Sequence, residues 1–394
     1  MQQQGPNGTV RALLQKLSRQ KFDPMKIVLI EPFYAGSHAV WADELARYSA
    51  HQVEILALGG RHWKWRMHGG AVTLARRFLT DGGKPDLILA TDMLDLTTFL
   101  ALTRQATAGI PVAIYFHENQ LTYPWSPADP DPHRQRDAHY AFINYASALA
   151  ADALLFNSRY HLEAFQQALP GFLKTFPDHN ELQSLAGIAA KSRVLPLGLD
   201  LARLDRLRPA QAGRSDQPPL ILWNHRWEYD KNPAEFFRVL LQLAAEGLAF
   251  EVAVLGEAYR SQPAIFAEAR QKLGHRLIHF GYIESFEEYA GWLWRADILP
   301  VHSVHDFFGA SVVQAIYCGC HPLLPNRLAY PEHLPDAAHA TFFYTDFADL
   351  LGRLRGLLVN GKPESLPLAR AAVSRYDWQT LAPHYDEVLA SLVV

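Results

Sequence analysis

Asp306 and Gln314 stand eight residues apart in the run His305-Asp306-Phe307-Phe308-Gly309-Ala310-Ser311-Val312-Val313-Gln314, which continues as an apolar helical pattern to Cys320. A glycine at 309 lets backbone approach a phosphate, and the amides of Ala310 and Ser311 open a helix whose N-terminus favours anions. On this reading Asp306 sits beside a sugar, and Gln314, two turns on, reaches ribose hydroxyls. The other reading is an N-capped core helix with a buried glutamine.

A second cluster is Asn224-His225-Arg226-Trp227-Glu228-Tyr229-Asp230-Lys231-Asn232-Pro233. Arg226 and Lys231 could converge on a diphosphate. A departing nucleoside diphosphate gains negative charge in the transition state, and fixed cations stabilise it there. A surface loop of ion pairs with Glu228 and Asp230 is the alternative.

Three further stretches lie earlier. Gly36-Ser37-His38 is a turn before a helix that suits a phosphate or a sugar, although such turns join any strand to its helix. Its lack of GxGxxG argues against a standard NAD site. Tyr115 to Pro124 puts His117, Glu118, Asn119 and Gln120 at the end of an apolar run. His117 is the candidate there for sugar contact or proton handling, with Glu118 and Asn119 beside it. A structural histidine is the competing reading. Arg61 to Gly70 interleaves cations with Trp63 and Trp65, followed by Arg76 and Arg77. Trp63, Lys64, Trp65 and Arg66 suit phosphates and stacked bases. A solvated basic loop is the plainer reading, and it fits Arg76 and Arg77 better. Asp129-Pro130-Asp131 matches a metal-binding DxD, but it lies in a proline-rich loop with no strand before it. We read it as a chance match and expect no metal and no cofactor.

These groups need a scaffold that brings distant turns together. Apolar runs at 26–30, 53–58, 86–90, 112–116, 153–156 and 193–197 alternate with helical patterns. Residues 208–219 are rich in Pro, Ala, Gly, Ser and Gln, as a linker is. A second alternation follows at 220–223, 250–255, 277–280, 298–301 and 322–324, and Trp378 to Leu392 is an amphipathic helix. Strand–helix alternation predicts parallel sheets. The expectation is an α/β protein of two Rossmann-like domains, 25–207 and 220–374, facing a central cleft, with residues 1–24 peripheral.

Composition narrows the class. The chain has 394 residues, 49% hydrophobic and 20% charged, which fits a globular protein of about two domains. A net charge of −3 excludes a generally basic nucleic-acid coat, so a polynucleotide would need a local patch. Cys318 and Cys320 are too closely spaced for a disulfide or a zinc site and read as buried thiols of a cytoplasmic protein. No apolar run approaches the ~20 residues of a membrane span. Val10 to Gln20 is a short helical pattern without the core of a signal peptide, and Met25, directly before a strand, fits an internal start.

Taken together, these motifs resemble glycosyltransferase family 4, of the GT-B fold, and within it the tRNA-queuosine α-mannosyltransferase family. The resemblance rests on Glu31 to His38, Trp63 to Arg66, Tyr115 to Pro124, Phe156-Asn157-Ser158, Phe176 to His179, Trp223 to Pro233 and Phe307 to Cys320. It spans about residues 26–335.

The resemblance implies a retaining enzyme that moves mannose from GDP-mannose to a cyclopentenediol hydroxyl of queuosine at the wobble position of tRNA for Asp. Arg226 and Lys231 would hold the diphosphate, Asp306 and His117 the mannose, and Gln314 the ribose. Gly36, Ser37, Gly309, Ala310 and Ser311 would complete the donor site, with the base on Tyr282 and Ile283. His38, Trp63, Lys64, Trp65, Arg66, Glu118 and Asn119 would meet the acceptor. The leaving phosphate would take the acceptor's proton on the front face, so no protein nucleophile is required. Residues 375–394 would cross back onto the first domain. The pattern departs at two positions, where the family usually has glutamate: Asp306 is one methylene shorter, and Gln314 replaces a carboxylate with an amide. Two rivals follow: a family 4 enzyme with another sugar nucleotide or a non-tRNA acceptor, and a catalytically impaired tRNA-binding relative.

Overall fold

A computed structural model describes residues 23–127, 129–134, 138–210, 217–256, 263–361 and 366–393. The helical pattern at Val10 to Gln20 and the middle of the expected linker lie outside the described residues.

The first sheet holds β1 (Lys26–Tyr34), β2 (Gln52–Gly59), β3 (Leu87–Thr91), β4 (Val112–Phe116), β5 (Ala153–Phe156) and β6 (Ser192–Val194). The second holds β7 (Leu220–Trp223), β8 (Glu251–Val254), β9 (Leu277–Phe280), β10 (Ile298–Pro300), β11 (His321–Pro325) and β12 (Phe343–Tyr344). All pairings are parallel. The central strands β3, β4, β5 and β7 are buried throughout, because helices cover both faces of a parallel sheet. Alternation along β1 sends Ile27 and Leu29 into one core and Val28 and Ile30 into another.

Strand order decides where ligands can sit. The sheets run β2-β1-β3-β4-β5-β6 and β12-β11-β10-β7-β8-β9. Order reverses between β1 and β3 in the first and between β7 and β10 in the second. At such switch points, helices leave on opposite faces and open a crevice at the carboxyl ends of the strands. The turns after β1, β4, β7 and β10 carry Ser37, His117, Arg226 and Asp306 respectively.

The strands differ from the sequence expectation mainly at their ends. β12 has two residues, too few to show a pattern, and β6 stops at Val194 instead of reaching Leu197. The stretch expected as a basic loop at Trp63 to Arg66 is the first turn of a long helix, Trp63–Asp81.

The C-terminal segment returns to the first domain. Leu199 exchanges backbone hydrogen bonds with Tyr376 and Trp378, at 2.9 and 3.0 Å. From the helix Trp378–Ala390, Tyr385 donates to the Tyr115 hydroxyl at 3.0 Å and receives the Trp41 indole N–H at 3.3 Å. Asp386 accepts from the Ser49 hydroxyl and the Ala50 amide at 2.6 and 2.9 Å. Among the described residues, no helix is long and apolar enough to cross a membrane.

Candidate active site

The turn after β7 and the turn after β10 meet at Lys231. Its ammonium donates to the His305 carbonyl at 2.9 Å and stands 3.1 Å from Asp230 and 3.5 Å from Asp306. Burial would raise the Asp306 carboxyl, but the Lys231 charge and the Tyr330 hydrogen bond outweigh it and hold the group below its ordinary value. Tyr330 also donates to Asp306, at 3.1 Å. Gly309 takes φ +89°, which swings the chain into the helix Ala310–Tyr317. A Cβ there would lie 3.0 Å from the Tyr330 ring and 3.5 Å from Asp306 Oδ2, so the close approach itself needs glycine.

Arg226 reaches across the cleft. Its guanidinium lies 3.2 Å from Glu228 and donates to the Tyr123 hydroxyl of the first domain at 3.4 Å. His225 and His305 are both held down to about 4, by burial and then by Lys231, so both imidazoles are neutral.

The first domain presents a chain of buried polar groups. Glu31, within β1, accepts the Phe33 amide at 2.7 Å and lies 3.2 Å from His38 Nδ1. Burial would lower His38, but the charge and hydrogen bond of Glu31, with Asp92 and Glu118 nearby, raise it to about 9. His38 is therefore an imidazolium. Its ring centroid lies 4.2 Å from that of His117, tilted by 38°, and burial and this adjacent charge keep His117 neutral. Asp92 accepts the His117 amide at 2.8 Å, and Asn157 donates to the His117 carbonyl at 2.9 Å. Nε2 of His117 has no hydrogen-bond partner among the described residues. Glu31, His38 and His117 bring one potential ligand atom each within 4.8 Å of one another. To serve as a ligand, His38 would have to release its proton.

Between these walls lies a cavity of about 130 Å³, lined by Ser37, His38, His117 and Glu118 from one domain and by Arg226, Lys231, Asp306, Gly309 and Ala310 from the other. Cations, backbone amides at a helix N-terminus and a carboxylate thus face a neutral imidazole. This arrangement suits a diphosphate with a polyol attached.

Other sequence candidates fall elsewhere. Gly36 adopts φ +52° at the helix start and shapes the turn without lining the cavity. The Ser311 hydroxyl lies 3.3 Å from His225 Nδ1, and Gln314 accepts the Tyr289 hydroxyl at 3.1 Å, outside the cavity lining. Tyr282 is 60% exposed and Ile283 is buried in the core. Asn119 is fully buried, its oxygen accepting the amides of Leu121 and Thr122, so it builds the turn and does not face an acceptor. Lys64 is bound between Asp129 and Asp131, at 2.7 and 2.5 Å, and is no free phosphate contact. Arg66 donates to the Gly59 carbonyl at 3.0 Å, and Trp65 is 64% exposed on the opposite side of the helix from Trp63. Asp92 and Tyr330 are missing from the sequence-based set. For Asp92 the signal is an acidic residue directly after an apolar strand.

Two parallel-sheet domains with this cleft define a glycosyltransferase of the GT-B type. The solved structure of Anabaena HepE with UDP-glucose superposes with a TM-score of 0.63 at 16% identity, covering 93% of this chain and 100% of that one. Sucrose-phosphate synthase from Thermosynechococcus elongatus gives a TM-score of 0.67 at 14% identity, covering 93% and 99%. A family model described as tRNA-queuosine alpha-mannosyltransferase N-terminal matches residues 26–199. The tRNA-queuosine alpha-mannosyltransferase of Drosophila melanogaster is 35% identical over 315 residues, covering 78% of this chain and 81% of its own. The chain belongs to the tRNA-queuosine α-mannosyltransferase family.

Proposed function

We propose that this protein transfers mannose from GDP-mannose to a cyclopentenediol hydroxyl of queuosine in tRNA, with retention at the anomeric carbon and without a metal, in the cytoplasm. The observation that carries the reading is the cavity shared by Arg226, Lys231 and Asp306 on one side and His38 and His117 on the other. Family membership supports the acceptor and the sugar.

Arg226 and Lys231 hold the diphosphate and stabilise the charge it gains as the bond from the anomeric carbon to its oxygen breaks. The acceptor oxygen bonds to that carbon from the same face. The departing phosphate oxygen takes the acceptor's proton, which balances the step without a protein base. Asp306 accepts from the sugar hydroxyls, and neutral His117 is a hydrogen-bond partner for the mannose. The cationic His38 adds positive charge at the rim of the diphosphate site.

Metal independence finds support in the DxD-like pair: the Lys64 ammonium stands between Asp129 and Asp131, where a cation would otherwise go.

The test is incubation with GDP-mannose and queuosine-containing tRNA, followed by mass spectrometry of the nucleosides. One hexose on queuosine is expected. No hexose gain with GDP-mannose or a panel of UDP- and GDP-sugars overturns the reading.

A further inference from the structure

Beside the donor cavity is a larger hollow of about 220 Å³. The two share Glu118, Tyr123 and Arg226 as common walls. The far side of the hollow is aromatic, formed by Phe33, Trp63 and Trp125, all only partly buried. The indoles lie 6.1 Å apart at 44°, and Trp63 packs 5.0 Å from Tyr140. Lys64 sits 5.6 and 5.2 Å from the two indoles and is itself tied to Asp129 and Asp131. These contacts pin the wall in place. Two partly uncovered indoles, fixed inside a recess, make a stacking platform for a flat ring.

Glu118 occupies the boundary between hollow and cavity. Its carboxylate accepts the Gln120 amide at 2.9 Å. Burial raises its carboxyl above the ordinary range, a cost that an ammonium partner would offset. An acceptor built from a base, a short arm bearing a secondary amine, and a diol has the same order of parts as hollow, Glu118 and donor cavity.

We propose that the hollow is the acceptor-base pocket: the modified purine-like base leaves the RNA stack and lies against Trp63 and Trp125, while Glu118 pairs with the ammonium of its side arm. This rests on the reading of queuosine as acceptor. Extruding the base brings the diol to the anomeric carbon, as for other enzymes that act on a base.

The experiment uses the full-length protein and the variants Trp125→Ala, Trp125→Phe and Glu118→Gln. Trp125→Ala should raise the KM for queuosine tRNA roughly tenfold or more, as loss of one stacking partner does. Trp125→Phe should recover most of that loss. GDP-mannose affinity, measured by calorimetry, should stay within about twofold in both, since stacking is lost only on the acceptor side. An unchanged KM in Trp125→Ala overturns the proposal, as does an equal loss of GDP-mannose binding, which would make the hollow part of the donor site. Wild-type protein should bind queuosine tRNA more tightly than the same tRNA with guanine at that position. Glu118→Gln should erase this preference, and a preference that persists removes Glu118 from its role. If wild type transfers no hexose yet binds free queuosine nucleoside, and Trp125→Ala does not, the pocket stands and the transfer reading fails. If wild type binds no queuosine nucleoside, the pocket fails, whatever the transfer assay shows.

Discussion

The Lys231 ammonium stands 3.5 Å from the Asp306 carboxylate, although 75 positions separate the two residues in the chain. The same ammonium lies 3.1 Å from Asp230, so one cation serves two buried carboxylates. A diphosphate arriving here meets a site already organised by charge, and removing Lys231 takes the paired cation from both carboxylates.

Arg226 and Lys231 should therefore separate in mutants. Half of the Arg226 side chain is exposed, so Arg226→Ala should lower kcat at least a hundredfold while the melting temperature moves by only about 2 °C. Lys231→Ala should lower activity similarly and also cost about 3–5 kcal/mol of stability. Thermal melts alongside the transfer assay decide this. Equal melting temperatures for the two variants would contradict the charge-sharing account.

The combined contribution of His38, His225 and His305 to stability should be largest near pH 6.5 and fall on both sides. His38 has its folded pKa raised to about 9, so its contribution is complete below the unfolded value of 6.5 and is lost as pH rises through 9. His225 and His305 are held down to about 4, so their contribution is present above 6.5 and lost as pH falls toward 4. Urea unfolding from pH 4.5 to 9.5 measures both limbs. Glu31→Gln removes the partner that raises His38 and should flatten the alkaline limb.

Gly309→Ala should weaken donor binding and destabilise the fold by about 1–3 kcal/mol. The backbone is at φ +89°, and the added methyl would press on Tyr330, which holds Asp306. Calorimetry with GDP and GDP-mannose is the check. Undiminished affinity would show that the turn does not form the phosphate site.

Glu332 should act as a latch between the domains. Its carboxylate accepts the amides of Arg159 and Tyr160, at 3.0 and 2.7 Å, in the first turn of the helix Arg159–Leu173. A carboxylate at a helix N-terminus contributes about 0.3–1 kcal/mol. Glu332→Ala should lose that amount and enlarge the radius of gyration in small-angle scattering. An identical scattering profile would rule out the latch.

Transfer should survive EDTA unchanged, because the Lys64 ammonium pairs with both Asp129 and Asp131. Activity abolished by EDTA and restored by a divalent ion would reverse this expectation.

Local information in the sequence was enough for the elements and most of the chemistry. Buried parallel strands appear as continuous apolar runs; His117 follows β4 directly, and Arg226, Lys231 and Gly309 lie in the connections after β7 and β10, so each motif reveals its place beyond a strand end. What depends on other parts of the chain was not legible. Trp63 and Trp65 look equivalent as residue types, yet a helix turns residues two apart to opposite sides, and only Trp63 joins the hollow with Trp125. Lys64 reads as a phosphate ligand until the fold brings Asp129 and Asp131 onto it. Gln314 reads as a ribose contact, and only the fold shows that its amide oxygen also accepts the Tyr289 hydroxyl. The sequence by itself determined the two sheets and the groups that can bind a sugar nucleotide. Strand order, set by long-range packing, decided which of those groups share one cavity, which are neutralised by distant partners, and where a second pocket opens beside them.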